Sequence, residues 1–216
     1  PRTPGPNRPG RHLTPAPDGP QVNTLQASNR YPPLSIGIHW LTLLLLAGSY
    51  ALIELREFYP KGSDPRELMK TWHFMVGLVV LVLTIARLGL RHRVHLAAIE
   101  PLPPAWHQAL ATLGHITLYV FLVVMPLLGW ITLSLKGKPV PFFSLELPAL
   151  AGPDKALAGD FEEIHETIGN IGYYLIGLHA LAALYHHHFL HDNSLLRMLP
   201  AHQAARLAAR SARRSH

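Results

Sequence analysis

Four long apolar blocks limit what this chain of 216 residues can fold into. They occupy Leu34–Ile53, Trp72–Leu90, Leu113–Leu135 and Ile168–Leu190, and each approaches or exceeds the roughly 20 residues that a membrane-spanning helix needs. A helix of a soluble protein shows polar side chains every third or fourth position. Residues 76–86 contain a single polar side chain, Thr84. The blocks therefore predict an all-α fold, a transmembrane four-helix bundle.

Four histidines lie within or directly beside these blocks. His165 and His179 are fourteen residues apart, so their rings project within about 40° of each other and roughly 21 Å apart along a helix axis. His39 follows the start of the first block, and His73 opens the second. Ionisable side chains inside a membrane mark functional sites, and paired imidazoles there suggest two haems.

The chain contains no cysteine, which excludes disulfides, iron–sulfur clusters and covalent haem attachment. Histidine, methionine or a carboxylate must then hold any redox cofactor, and two b-type haems on histidine pairs meet that condition. A zinc site would need three or four ligands at one level, whereas these histidines lie at two levels. For any single histidine, a hydrogen bond to a carbonyl or a place on a proton path remains an alternative.

The ends of the chain differ from its middle. Residues 1–33 contain nine prolines and few aliphatic side chains, a composition that predicts a disordered cytoplasmic tail. Residues 34–200 are predicted to form the helical membrane domain. Residues 201–216 are predicted to form a basic cytoplasmic tail, since they carry four arginines, Arg206, Arg210, Arg213 and Arg214.

The charge distribution predicts the orientation. Four spans place both tails on one side, together with the connection between the second and third blocks. That side carries twelve lysines and arginines and three acids, whereas the opposite side carries seven cations and ten acids. The positive-inside rule therefore predicts cytoplasmic termini. His39 and His179 would then share the inner half of the bilayer, and His73 and His165 the outer half.

The residues around these histidines resemble the bacterial cytochrome b561 family, and within it most closely the di-haem superoxide oxidases. The similar segments are Ser35–Leu41, Trp72-His73, Leu113–His115, His165–Thr167, Gly172–Leu184 and Asp192–Met198. They occur in the family's order and cover roughly Tyr31–Pro200, without the Pro-rich tail. The resemblance implies axial haem ligands at the four positions reached by spacing, His39 with His179 and His73 with His165.

The resemblance also implies a reaction in the bacterial inner membrane. Superoxide would be oxidised to oxygen on the periplasmic side, and its electrons would pass through two haems to ubiquinone. Superoxide is an anion, and a local positive potential raises the on-rate of an anion. The cations near the outer face that could provide it are Lys61, Arg66, Lys70, Lys136 and Lys138, although ordinary loop cations would give the same pattern.

Candidate quinone contacts lie near the inner surface. His186 is seven residues beyond His179, on nearly the same helix face, and a histidine can supply a proton near neutral pH. An interfacial histidine in the run 186–188 is the alternative. His115 is a second candidate or a partner of a haem propionate. Arg87 and Arg91 either pair with propionates or extend to the lipid headgroups.

Two other functions remain open. The chain could be an electron-carrier subunit between a partner dehydrogenase or hydrogenase and the quinone pool, with residues 139–160 as the docking surface. A non-redox scaffold would leave four membrane histidines unexplained. The expected partners are superoxide, quinone and the lipid bilayer, with no nucleic acid.

Overall fold

The computed structural model describes residues 30–93, 103–204 and 206. The tails predicted at residues 1–33 and 201–216 lie largely outside these described residues. Four long helices follow one another in the described part: α1 Pro33–Leu55, α2 Asp64–Arg93, α3 Ala105–Leu135 and α4 Lys155–His188. Each is long and apolar enough to cross a membrane. The predicted all-α, four-helix membrane fold is confirmed.

The helices extend beyond the apolar blocks. α2 begins at Asp64 rather than at Trp72, and α4 begins at Lys155 rather than at Ile168. The carboxylate of Asp154 caps α4 by accepting the backbone N–H groups of Ala156 and Leu157 at 3.0 and 3.1 Å. The length of an apolar block predicts only the part of a helix that lies inside the bilayer. Outside the bilayer, capping residues and helix propensity determine where the helix begins.

The surface of the bundle is apolar along every helix. Leu44, Val82, Ile116 and Leu178 are 69, 56, 55 and 67% exposed, which suits contact with lipid rather than with water. Four buried hydroxyl groups, those of Thr42, Thr84, Thr132 and Ser134, donate to carbonyls of their own helices, as where Thr84 donates to the Val80 carbonyl at 2.7 Å. The bilayer core offers no hydrogen-bonding partner, so polar groups inside it must be satisfied within the protein.

A short β-hairpin joins α3 to α4. Strands β1 (Val140–Phe142) and β2 (Leu145–Leu147) pair antiparallel, with Val140 opposite Leu147. Val140 is 2% exposed and packs with Leu78 of α2 and Leu133 of α3. The stretch interpreted as a possible docking loop is thus folded against two helices. We call this end of the bundle the hairpin end, and the opposite end, where α1 begins and α4 finishes, the terminal end.

Candidate functional site

Three helices bring the four histidines into two pairs. The ring centroids of His39 and His179 lie 6.5 Å apart, and those of His73 and His165 lie 6.2 Å apart. The first pair is nearer the terminal end and the second nearer the hairpin end. These are the pairs expected from helix spacing and depth, while their role as haem ligands stays a prediction.

The distances within both pairs suit one iron ion between two rings. A first-row metal lies about 2 Å from an imidazole nitrogen, so two rings on opposite sides of one ion place their centroids about 6 Å apart. His73 Nδ1 lies 3.0 Å from both the carbonyl and the hydroxyl oxygen of Ser49. Such a contact orients the ring and leaves Nε2 for a metal.

His165 adds a second indication that the paired rings are set up for a ligand. Its Nδ1 is buried and forms no hydrogen bond of normal geometry, although the Met125 carbonyl lies nearby. Among the described residues, no three metal-ligating side chains converge on one point. The donor set therefore fits two bis-histidine haem irons rather than a zinc ion.

A cavity of about 790 Å³ opens beside the pair at the hairpin end. His73, His165, Ser49 and Gly129 line its interior, and its volume falls in the range of small-molecule and cofactor pockets. Six cations and five acids surround it: Arg56, Lys61, Arg66, Lys70, Lys136 and Lys138, with Glu54, Glu57, Glu67, Glu162 and Glu166. The five cations predicted to form a basic patch therefore meet at one cavity.

Several of these cations are already paired with acids. Lys70 contacts Glu67, and Lys136 contacts Glu162, each at 2.6 Å. Among the residues the structure describes, Lys61 and Lys138 take part in no salt bridge. Of the cations that line the cavity, these two lysines are therefore the ones outside salt bridges, and Lys138 also interacts electrostatically with Glu67.

Arg66 has a structural task at this cavity. It is 6% exposed and donates to the carbonyls of Arg56 and Tyr59 at 3.0 and 2.9 Å and to the Glu57 carboxylate at 2.8 Å. These bonds close the turn between α1 and α2. These bonds occupy most of the Arg66 guanidinium, so little of it is left to bind an anion as the sequence predicted.

The pair at the terminal end has a cationic and a histidine neighbour. The guanidinium of Arg87 donates to Nδ1 of His39, and the ring of His115 lies 5.7 Å from that of His179. Arg91 lies over the ring of Tyr119 at 5.8 Å. Arg87 and His115 are therefore placed at the predicted inner haem site.

His186 is fixed by a buried carboxylate. Its Nδ1 lies 2.6 Å from Oδ2 of Asp192, whose side chain is 2% exposed, and its ring lies 5.6 Å from that of His107. Burial alone would raise the pKa of Asp192, but hydrogen bonds from His186 and from the Ser194 backbone hold that pKa below its usual value. With Nδ1 engaged, Nε2 of His186 remains for a ligand.

Asp192→Asn is expected to lower stability near neutral pH by about 2 kcal/mol, the scale of a hydrogen bond to a charged group. Because the pKa of Asp192 is lowered in the folded state, its contribution is complete above the unfolded value of about 4 and is lost as the pH falls through the folded value. Thermal unfolding from pH 7 to pH 3 should show the variant and the parent converging at acid pH. The exposed Asp160→Asn serves as control and should run parallel to the parent.

An aromatic layer lies between the two histidine pairs, and sequence reasoning missed it. We define this layer as Tyr50 of α1, Phe121 of α3 and Gly172 of α4. Gly172 is seven residues from both His165 and His179, on the same helix face and midway between them. The Tyr50 hydroxyl donates to the Gly169 carbonyl at 2.7 Å, which ties α1 to α4 at this level.

The side chains of Tyr50 and Phe121 fill the space that a side chain at position 172 would need. A Cβ atom there would lie 2.8 Å from Cε2 of Phe121, and closer still to Cζ of that ring and to the Tyr50 hydroxyl oxygen. In contrast, a Cβ at Gly37 or Gly177 would meet nothing within 4 Å. Glycine at position 172 therefore admits two aromatic side chains. The equal seven-residue spacing from both histidines was the signal available in the sequence.

Known proteins are similar to this chain over most of the residues that the structure describes. The family model described as prokaryotic cytochrome b561 matches residues 30–201. Cytochrome b561 homolog 1 of Escherichia coli (strain K12) is 42% identical over 172 residues, which are 80% of this chain and 98% of that protein. The probable superoxide oxidase CybB of Yersinia pestis is 39% identical over 171 residues, 79% of this chain and 96% of that protein. Cytochrome b561 homolog 2 of Escherichia coli (strain K12) is 27% identical over 181 residues, 79% of this chain and 91% of that protein.

Proposed function

The chain belongs to the prokaryotic cytochrome b561 family of haem-binding membrane electron-transfer proteins, and from that premise we propose that it is a superoxide:ubiquinone oxidoreductase. Two b-type haems would bind between His39 and His179 and between His73 and His165. The observation that carries the proposal is the presence of two histidine pairs, with ring centroids 6.5 and 6.2 Å apart, at two levels of one bundle. The similarity to the probable superoxide oxidase CybB supports the choice of substrate.

A haem held by each histidine pair would supply a one-electron carrier. Because two histidines would hold each iron, superoxide would pass its electron at the edge of the site and would not bind the iron. Each superoxide loses one electron and becomes oxygen. Two such electrons, with two protons, convert one quinone to quinol.

We place the hairpin end on the periplasmic side and the terminal end in the cytoplasm, with the protein in the bacterial inner membrane. The excess of cations at the terminal end supports this orientation. Lys61 and Lys138, which form no salt bridge among the described residues, then face the periplasm at the cavity beside His73 and His165. Their positive charge attracts superoxide to that cavity.

At the terminal end, His186 is proposed to contact ubiquinone. Asp192 accepts from Nδ1 of its ring, which orients Nε2 toward the ligand; after protonation to the imidazolium, Nε2 can donate to a quinone carbonyl and pass on that proton. Arg87 lies beside His39 in this half. A neutral imidazole that binds iron through Nε2 carries its proton on Nδ1, so we expect Arg87 to leave His39 for a haem propionate.

A pulse of superoxide given to the purified, haem-loaded protein with quinone tests this function. Stopped-flow absorbance should show fast appearance of reduced b-haem bands, followed by reoxidation that depends on quinone. The Lys61→Gln/Lys138→Gln double variant should slow the first phase about tenfold at low ionic strength, because the attraction of the anion is lost. Added salt should slow the parent more than the variant.

Lys155→Gln is the matched control, since Lys155 is an exposed cation at the same end but outside the cavity lining. It should keep the parental rate. Haem bands that respond to dithionite and not to superoxide would contradict the proposal and favour an electron carrier that depends on a partner protein. Equal slowing in Lys155→Gln would contradict the assigned role of Lys61 and Lys138.

A further inference from the structure

We propose that the β-hairpin, Val140–Leu147, is seated at the outer boundary of the bilayer at the hairpin end, with the apolar side chains at its tip in contact with lipid acyl chains. The function proposed above gives this segment no role. The position of the hairpin does not depend on the identity of the electron donor. It rests on the depth of the hairpin, on the helix face that it covers and on the side chains at its tip.

The contacts of the hairpin lie below the charged rim of the bundle. The backbone N–H of Phe143 contacts Sδ of Met75 at 3.3 Å, and Val140 packs on Leu78. Lys70 is the last charged residue before this part of α2, so Met75 and Leu78 lie roughly 7 and 12 Å further along the helix. With the Lys70 ammonium at the headgroup surface, these depths pass through a headgroup layer of roughly 5–7 Å to the boundary of the hydrocarbon core.

The hairpin covers the outer half of a helix face whose other half is bare. Met75 and Leu78 are 8 and 6% exposed beneath it. Val82 and Ile85 follow Leu78 by four and seven residues, on the same face of α2, and are 56 and 60% exposed. Lipid must cover Val82 and Ile85, so the outer margin of the hairpin is continuous with a lipid-facing surface.

The tip of the hairpin carries two large apolar side chains with no protein cover, beside the exposed side chains of Ser144 and Glu146. Because a carboxylate is costly in hydrocarbon, Glu146 belongs at the level of the lipid headgroups. Phe143 and Leu145 are 62 and 64% exposed. Phe143 also has a φ of 55°, a left-handed conformation that is unfavourable for a bulky residue and in which Gly or Asn is usual. An aromatic ring at this position suggests that the ring itself is needed at the tip, as in a side chain that anchors the segment in lipid.

The backbone of the hairpin is compatible with such a position. Ladder pairing joins Val140 to Leu147 and Phe142 to Leu145. The return strand is tied to α3, since the Trp130 indole donates to the Pro148 carbonyl at 3.0 Å and the Leu150 N–H to the Ser134 hydroxyl at 3.1 Å. These bonds satisfy part of the backbone, but each strand of this two-stranded sheet keeps an outer edge. Because open sheet edges are not tolerated in hydrocarbon, the strands themselves lie at the level of the lipid headgroups.

Site-directed spin labelling tests the proposal, because the chain has no cysteine and a single introduced thiol is labelled uniquely. Phe143→Cys and, separately, Leu145→Cys would carry a nitroxide in phosphatidylcholine–phosphatidylglycerol vesicles. Val82→Cys provides the lipid-exposed reference and Lys61→Cys the water-exposed reference. Each label's accessibility to oxygen, which partitions into lipid, and to a water-soluble nickel chelate would be measured by electron paramagnetic resonance.

Both tip labels should resemble the Val82 label, with high oxygen and low nickel accessibility. Tip labels that resemble the Lys61 label would overturn the proposal in favour of an aqueous hairpin. Labels shielded from both reagents would also overturn it, in favour of a partner protein or a second copy of the chain on this surface. An unchanged haem spectrum in each labelled variant establishes that the fold is intact, and the outcome is independent of the superoxide assay.

Discussion

His179→Ala is expected to yield a protein with one haem per chain instead of two. The variant removes one imidazole from the pair nearer the terminal end, where the ring centroids of His39 and His179 lie 6.5 Å apart. The pair at the other level, His73 and His165, belongs to the other half of the bundle and keeps both its ligands. Haem content by the pyridine haemochrome method, together with low-spin electron paramagnetic resonance signals, would measure the loss.

His165→Ala is the reciprocal variant and should remove the other low-spin signal. His115→Ala is the matched control, because the His115 ring lies 5.7 Å from His179 and yet is assigned no iron. That variant should retain both haems. Loss of both haems in His179→Ala, or of the same signal in His179→Ala and His165→Ala, would contradict the pairing by depth. Retention of two haems in His179→Ala, with loss of one of them only when His115 is also removed, would show that His115 replaces the ligand.

The sequence was sufficient for the bundle because the bilayer imposes one simple rule, a run of apolar residues long enough to span it. Helical geometry then places residues fourteen apart on one face, which is why the spacing of His165 and His179 indicated two levels. The same rule underestimated the lengths of α2 and α4. Their first turns, which begin at Asp64 and at Lys155, lie outside the apolar blocks. Those turns depend on caps and solvation, which apolar length does not report.

The aromatic layer and the hairpin were not predictable in this way. Tyr50, Phe121 and Gly172 come from three different helices, and their meeting depends on how those helices approach one another. The strands of the hairpin have three residues each, too few for a period-two pattern to be distinguished from a loop. Their position is set by contacts with Leu78 and Met75 of α2, which lie more than sixty residues earlier in the chain.

Gly172→Ala is expected to disturb the centre of the bundle and to lower its stability. The new methyl carbon would lie 2.8 Å from Cε2 of Phe121 and closer still to the Tyr50 hydroxyl oxygen, so one or both rings must move. Overpacking of this kind costs about 1–3 kcal/mol or more, and the bond from Tyr50 to the Gly169 carbonyl would be lost with about 1 kcal/mol. A fall in unfolding temperature should appear with and without haem.

Gly177→Ala is the control, because it lies on the same helix and its Cβ would meet nothing within 4 Å. Alanine favours helix over glycine by up to about 1 kcal/mol, so this variant should be as stable as the parent or more so. Gly172→Ala/Phe121→Leu should recover part of the loss, since the smaller side chain vacates space for the methyl group. Recovery would show that the loss of stability comes from crowding in the aromatic layer rather than from an alanine in the helix. A Gly172→Ala protein as stable as the parent would instead show that the two rings of the aromatic layer move aside at no cost in stability.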